Sequence, residues 1–152
     1  MRPAFAAAML ATAGFVLSAG VTAAVKPETA IHYRQGVYHA IAWNFAPMNA
    51  MVRGKQPWDQ ADFARRAARV AFYSQQLLEG FPPGSDAGAK TDAKPAIWQN
   101  TADFKAKMQA FQDASADLAK AAAGSDVEAS KQAFAKTAEA CKSCHEKYRA
   151  ED

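Results

Sequence analysis

Cys141, Cys144 and His145 are the residues of this chain best spaced to do chemistry together. In the run Cys-Lys-Ser-Cys-His, two thiols stand three positions apart and an imidazole follows directly. Positions three and four apart share a helix face, so all three side chains can address one planar group. Two thiols can add across the two vinyl groups of haem to make thioethers, and the next imidazole can then ligate the iron. This is the pattern of covalent haem c attachment.

Three other chemistries fit less of the run. A thioredoxin-like redox couple belongs beside a βαβ pattern, and nothing here reads as strands. A zinc site would have to borrow His32 and His39, with no compact ligand cluster written locally. A simple disulfide would close so small a loop that it restrains little of the unfolded chain, and it leaves His145 without a role.

The elements that must position these residues are helical. Ile31, Arg34, Tyr38, Ile41, Phe45, Met48 and Val52 follow at alternating steps of three and four, with Pro47 expected to kink the last turn and Gly54 to end it. After Pro57 and the capping candidate Asp59, the seam Phe63, Ala67, Val70, Ser74, Leu77 and Phe81 predicts a second helix. From Gly80 to Pro95 the composition turns to helix breakers and predicts a long loop. A third helix runs along Ile97, Thr101, Phe104, Met108, Phe111, Ser115, Leu118 and Ala122 to Gly124. Ser125-Asp126-Val127-Glu128 reads as a capping box for a fourth, whose seam is Val127, Ser130, Phe134, Thr137, Cys141, Cys144 and Tyr148. These elements predict an all-α, antiparallel four-helix bundle with one covalent haem on its final helix, near the C-terminus.

Arg2, the apolar stretch Ala4 to Leu17 and the small residues Val21-Thr22-Ala23-Ala24 read as a secretory signal over residues 1–24, cleaved near Ala24. Residues 25–152 then form one bundle domain, expected to be soluble, with no later segment long enough to span a membrane. Losing Arg2 takes the net charge from +3 to +2, and two haem propionates bring it near neutral. Neither nucleic acid nor a polybasic membrane contact finds support as a partner. Both cysteines belong to the haem motif, so packing alone must hold the fold in an oxidising compartment.

On the iron's other side the first helix carries the informative residues. A guanidinium on an apolar seam needs an acceptor to offset its desolvation, so Arg34 reads as the partner of a propionate, with Gln35 beside it, or else as a side chain snorkelling outward. Tyr38, one turn on, is either a distal-pocket residue or a core tyrosine. Met48 and Met51 read as gap-filling core residues, and His32 and His39 as solvated.

The run Cys141 to Arg149, the triplet Tyr33-Arg34-Gln35, the turn Gly54-Lys-Gln-Pro-Trp-Asp59 and the stretch Asp92-Ala-Lys-Pro-Ala-Ile-Trp98 together resemble cytochrome c′, in order and over essentially all of residues 25–152. That resemblance implies a periplasmic, usually homodimeric bundle with one haem c, high-spin and five-coordinate through His145. It implies that Arg34 and Gln35 approach a propionate, that Asp92 lies near the haem edge and that Arg149 influences the proximal pocket. It also implies that Tyr38 stands over the distal face, where many members carry leucine or phenylalanine and some tyrosine. A phenol there can both block a diatomic and donate to it.

The expected function is a non-enzymatic haem protein that binds nitric oxide and carbon monoxide at an open sixth position, can exchange electrons with a redox partner the sequence does not identify, and serves in nitric oxide resistance or buffering. Oxygen is expected to compete poorly, since an apolar face stabilises it little. The main rival is a low-spin electron shuttle similar to cytochrome c556, with Met48 or a repositioned His39 as second ligand. A peroxidase needs a distal base with a cationic partner, and only Tyr38 near Arg34 is on offer.

Overall fold

The computed structural model describes residues 25–150, so the segment read as a secretory signal lies outside the described residues. Four long helices make the bundle: α1 (Pro27–Val52), α2 (Gln60–Ser74), α4 (Thr101–Ala122) and α5 (Val127–Tyr148), with a short α3 (Ala96–Gln99) ahead of α4. No strand occurs among the described residues, and one isolated antiparallel bridge joins Ala93 to Arg149. Helix α1 packs on α2, α2 on α4 and α4 on α5, which closes the bundle on three sides.

Local chemistry explains the helix ends. Pro27 opens α1, where its missing N–H costs nothing, and Glu28 complements the helix dipole. Asp59 caps α2 by accepting from the Asp62 N–H at 3.0 Å. The cap of α5 is Asp126, which accepts from the Ala129 N–H at 3.0 Å, one residue later than the expected box on Ser125; Glu128 pairs with Lys131 instead. The helix expected to bend at Pro47 runs on to Val52. The carbonyl that Pro47 leaves without a donor belongs to Trp43, on a face open to solvent.

Two long seams prove shorter than their periodicity. Helix α2 stops at Ser74; Leu77 is fully buried beyond it, and Leu78–Gly80 form a single 3-10 turn. The third seam breaks at Asn100 (φ −127°, ψ 49°), whose side chain bonds back to the Ala96 carbonyl at 3.1 Å. That local bond competes with helix continuation, so α4 begins at Thr101, which is exposed.

The polar residues on the seams are satisfied within it. Ser115, Ser130 and Thr137 are fully buried, and their hydroxyls donate to the carbonyls of Phe111, Asp126 and Ala133, four residues back. At the end remote from the cysteines, Phe45 stacks on Phe134 at 4.2 Å and Phe63 packs against Trp58 and Phe134. Here α1 and α5 touch.

Phe63 is fully buried in that cluster. We expect Phe63→Ala to destabilise the holoprotein by about 3–5 kcal/mol, read by urea unfolding. A loss below about 1 kcal/mol would mean that the neighbouring rings collapse into the space.

Candidate haem site

Beginning at Phe45 of the Phe45–Phe134 stack, α1 and α5 flank a cavity of about 930 Å³, at the upper end of the roughly 300–1,000 Å³ common for cofactor sites. Helix α1 contributes Arg34, Tyr38, Ile41 and Phe45; α4 contributes Phe104, Met108 and Phe111; α5 contributes Cys141, Cys144 and His145. Leu77 and Phe81 close it from the segment after α2, and Ile97 from α3. His32, His39 and Gln35 line it from α1, and residues 89–93 and Arg149 line it from the loop and the end of α5. The walls are mainly apolar, with the polar groups of the motif and of the first helix gathered into one space.

Both thiols are free. Burial first, then the neighbouring Cys144, pushes the Cys141 thiol up to about 11, and burial likewise raises Cys144, so both stay protonated at neutral pH. Burial, and then the charge of Arg149, lowers His145 below the usual histidine value, which favours the neutral imidazole a metal requires. The turn carrying the motif is braced from α4. Lys107 Nζ donates to Ser143 Oγ at 2.8 Å, and Asp103 Oδ2 accepts from the Tyr148 hydroxyl at 2.5 Å and from Lys147 at 2.9 Å.

Arg34 is 2% exposed, which rules out the snorkelling arrangement. One terminal nitrogen donates to Gly80 O at 3.1 Å and Ser85 Oγ at 3.2 Å; the other donates to Ser85 O at 2.9 Å and Thr91 Oγ1 at 3.1 Å. Its guanidinium also lies 4.9 Å from the ring centre of Phe81 and 5.6 Å from that of Trp98. Gly80 must be glycine here, because a Cβ would come within 2.7 Å of Arg34 Cβ. All these acceptors are neutral, and no carboxylate among the described residues forms an ion pair with Arg34. Burial accordingly lowers its pKa.

The remaining residues sit around the same space. Gln35 Nε2 donates to Lys90 O at 2.9 Å, and Asp92 lies 3.6 Å from Arg149. Tyr38 lines the cavity; burial chiefly, with the nearby thiols, raises its pKa, so the phenol stays neutral. Met48 is fully buried in the core outside the cavity, and Met51 is buried in the same core cluster. His32 and His39 are exposed at the cavity's α1 side.

Sequence reasoning missed Gly80, Ser85 and Thr91 as partners of Arg34, and Leu77, Phe104 and Met108 as cavity walls. The abrupt change of composition after Gly80 marks the loop, but no spacing rule links residue 34 to residues 85 and 91.

An apolar slot with two free thiols, an adjacent imidazole and a buried cation with no carboxylate in contact fits haem, whose propionates supply an anion. The fold and site therefore define a c-type haem protein built on a four-helix bundle. Comparison with known proteins sharpens the class. The Cytochrome C′ family model matches residues 29–149. Cytochrome c′ of Rubrivivax gelatinosus is 40% identical over 124 residues, 82% of this chain and 96% of that protein. The structure of cytochrome c prime from Shewanella frigidimarina is 50% identical with a TM-score of 0.80, covering 83% of this chain and 98% of the other. A nitric oxide complex of a variant cytochrome c prime from Alcaligenes xylosoxidans is 36% identical with a TM-score of 0.76, covering 83% and 98%. The chain belongs to the cytochrome c′ family, and its cofactor is haem c, with Cys141 and Cys144 as the cysteines of the attachment motif.

Replacing Cys144 with alanine is expected to leave at most one thioether. Intact-mass and peptide mass spectrometry of the variant read this directly; haem still held by two covalent bonds would overturn the attachment assignment.

Proposed function

We infer that this protein binds nitric oxide and carbon monoxide at the sixth position of a His145-ligated haem c, and that it can pass electrons to a redox partner. When bound, the cofactor supplies an iron that takes one axial ligand from the chain, offers another position to solvent-borne ligands and cycles between two oxidation states. Cys141 and Cys144 hold it covalently. The helix turn braced by Lys107 and Asp103 aims the His145 imidazole. Arg34 and Gln35 would face the propionates, Asp92 would lie at the cofactor edge, and Arg149 would act on the proximal side.

The observation that carries the reading is the α1 wall of the cavity, which brings Ile41, Phe45 and a Tyr38 phenol kept neutral by burial, and no methionine. Met48, the second ligand of the shuttle alternative, lies outside the cavity. The shuttle reading keeps a foothold in Met108, whose thioether lines the α4 wall, and in His39. Support for gas binding also comes from the nitric oxide complexes among the relatives. Peroxidase chemistry finds less support: the terminal nitrogens of Arg34 are held by the loop and so do not assist a distal base.

Export to the periplasm, with cleavage near Ala24, is supported by the sequence of residues 1–24. No helix among the described residues is long and apolar enough to cross a membrane. Homodimer formation through α1 and α2 is supported by Trp43 and Phe72, which are 77% and 63% exposed on these adjacent helices.

Three experiments test these readings. Visible spectra of the holoprotein, oxidised and reduced, are expected to be high-spin and to change on adding carbon monoxide. Tyr38→Ala is expected to speed its association by about tenfold, a barrier change of about 1.4 kcal/mol. Sharp low-spin bands indifferent to the gas would give the iron a second protein ligand, and unchanged kinetics would move Tyr38 off the ligand's path. For assembly, Trp43→Glu is expected to yield a monomer by sedimentation; a persistent dimer would put the interface elsewhere.

A further inference from the structure

Residues 89–93 all line the cavity, and their hydrogen bonds carry them from one flanking helix to the other. On the α1 side the segment is held by two side chains, Arg34 on Thr91 Oγ1 at 3.1 Å and Gln35 on Lys90 O at 2.9 Å. On the α5 side it is held by backbone: Ala150 N donates to Asp92 O at 2.7 Å, and Lys94 N to Tyr148 O at 2.9 Å. The two ends are unequal. The α5 end is a backbone bridge reinforced by the Asp92–Arg149 pair, whereas residues 89–93 themselves are held to α1 by two side-chain hydrogen bonds, with Gly88 packed on Pro27 just ahead of them. Arg34 itself stays anchored to Gly80 and Ser85 whether or not Thr91 is bound. Thr91 Oγ1 also accepts from the Ala93 N–H at 3.2 Å, so this one hydroxyl fixes both the segment's shape and its attachment to α1.

We propose that residues 89–93 are a strap across the cavity mouth, latched to α1 through Thr91 and Arg34, and that this latch sets the largest ligand the haem site admits. The proposal rests on the gas-binding reading. A diatomic diffuses through side-chain fluctuations of the apolar walls. A ligand several carbons long needs the strap to swing away from α1 while its α5 end holds. Thr91 is thus a positioning residue: it acts by holding the strap.

The test uses holoprotein carrying Thr91→Val, which keeps side-chain shape and removes both hydrogen bonds, with Thr91→Ser as the conservative control. Strap opening is read by trypsin cleavage after Lys90, which is exposed, whereas the Lys94–Pro95 bond resists trypsin. Ligand access is read by the association rates of carbon monoxide and n-butyl isocyanide with the reduced protein.

In Thr91→Val, cleavage and isocyanide association are expected to accelerate at least tenfold while carbon monoxide changes less than twofold; Thr91→Ser behaves as the parent. Three results would overturn the latch: cleavage unchanged in Thr91→Val, isocyanide association unchanged despite faster cleavage, or equal acceleration of both ligands. Failure of the parent holoprotein to bind carbon monoxide at all would remove the gas-binding reading and this size limit with it. That outcome is told apart because it is seen without any substitution.

Discussion

The structure depends on a buried cation held by the neutral groups of a loop. Arg34 leaves water completely enough that its charge needs compensation, and it donates four hydrogen bonds to residues 80, 85 and 91 and lies against the faces of Phe81 and Trp98. Those contacts spread the charge without cancelling it. A site that keeps a positive charge inside, next to an apolar cavity, is electrostatically ready for an anion-bearing ligand. The same contacts fold the irregular segment between α2 and α3 onto the first helix. One side chain thus shapes the loop and prepares the cavity.

The bundle accommodates its cofactor by asymmetry between its ends. Stacked phenylalanines draw α1 and α5 together at one end, and at the other the two helices flank the cavity with the loop bridging the gap. Buried serines and a threonine permit close helix approach along the seams, because each hydroxyl finds a carbonyl one turn back and leaves no orphan. Asn44 is the exception, with Oδ1 buried and unpartnered while its amide donates to Ala40 O at 2.8 Å.

Around the haem motif, structure and electrostatics serve one end. Burial keeps the thiols and Tyr38 neutral and holds His145 in its uncharged form. The charged groups that brace the motif from α4 are Lys107, on Ser143, and Asp103, on Lys147 and Tyr148. The site is therefore braced where a ligand histidine must be aimed.

How much of this was legible in the chain depends on the range of the interactions concerned. Helical periodicity located the four helices, and the Cys-x-x-Cys-His run identified the cofactor, because both are patterns of near neighbours on one helix. The overrun at residues 75–81, the break at Asn100 and the shift of the cap to Asp126 are local competitions that periodicity does not weigh. Arg34 stood out as anomalous on its seam, but its partners lie 46 to 57 residues away along the chain. By itself the sequence determined the helices, the haem motif and the need of Arg34 for acceptors. Only the tertiary structure decided which acceptors those are, which walls line the cavity and how the loop runs between the helices that flank it. Those outcomes depend on how an aperiodic loop packs against two helices, and that packing leaves no regular trace in residue spacing.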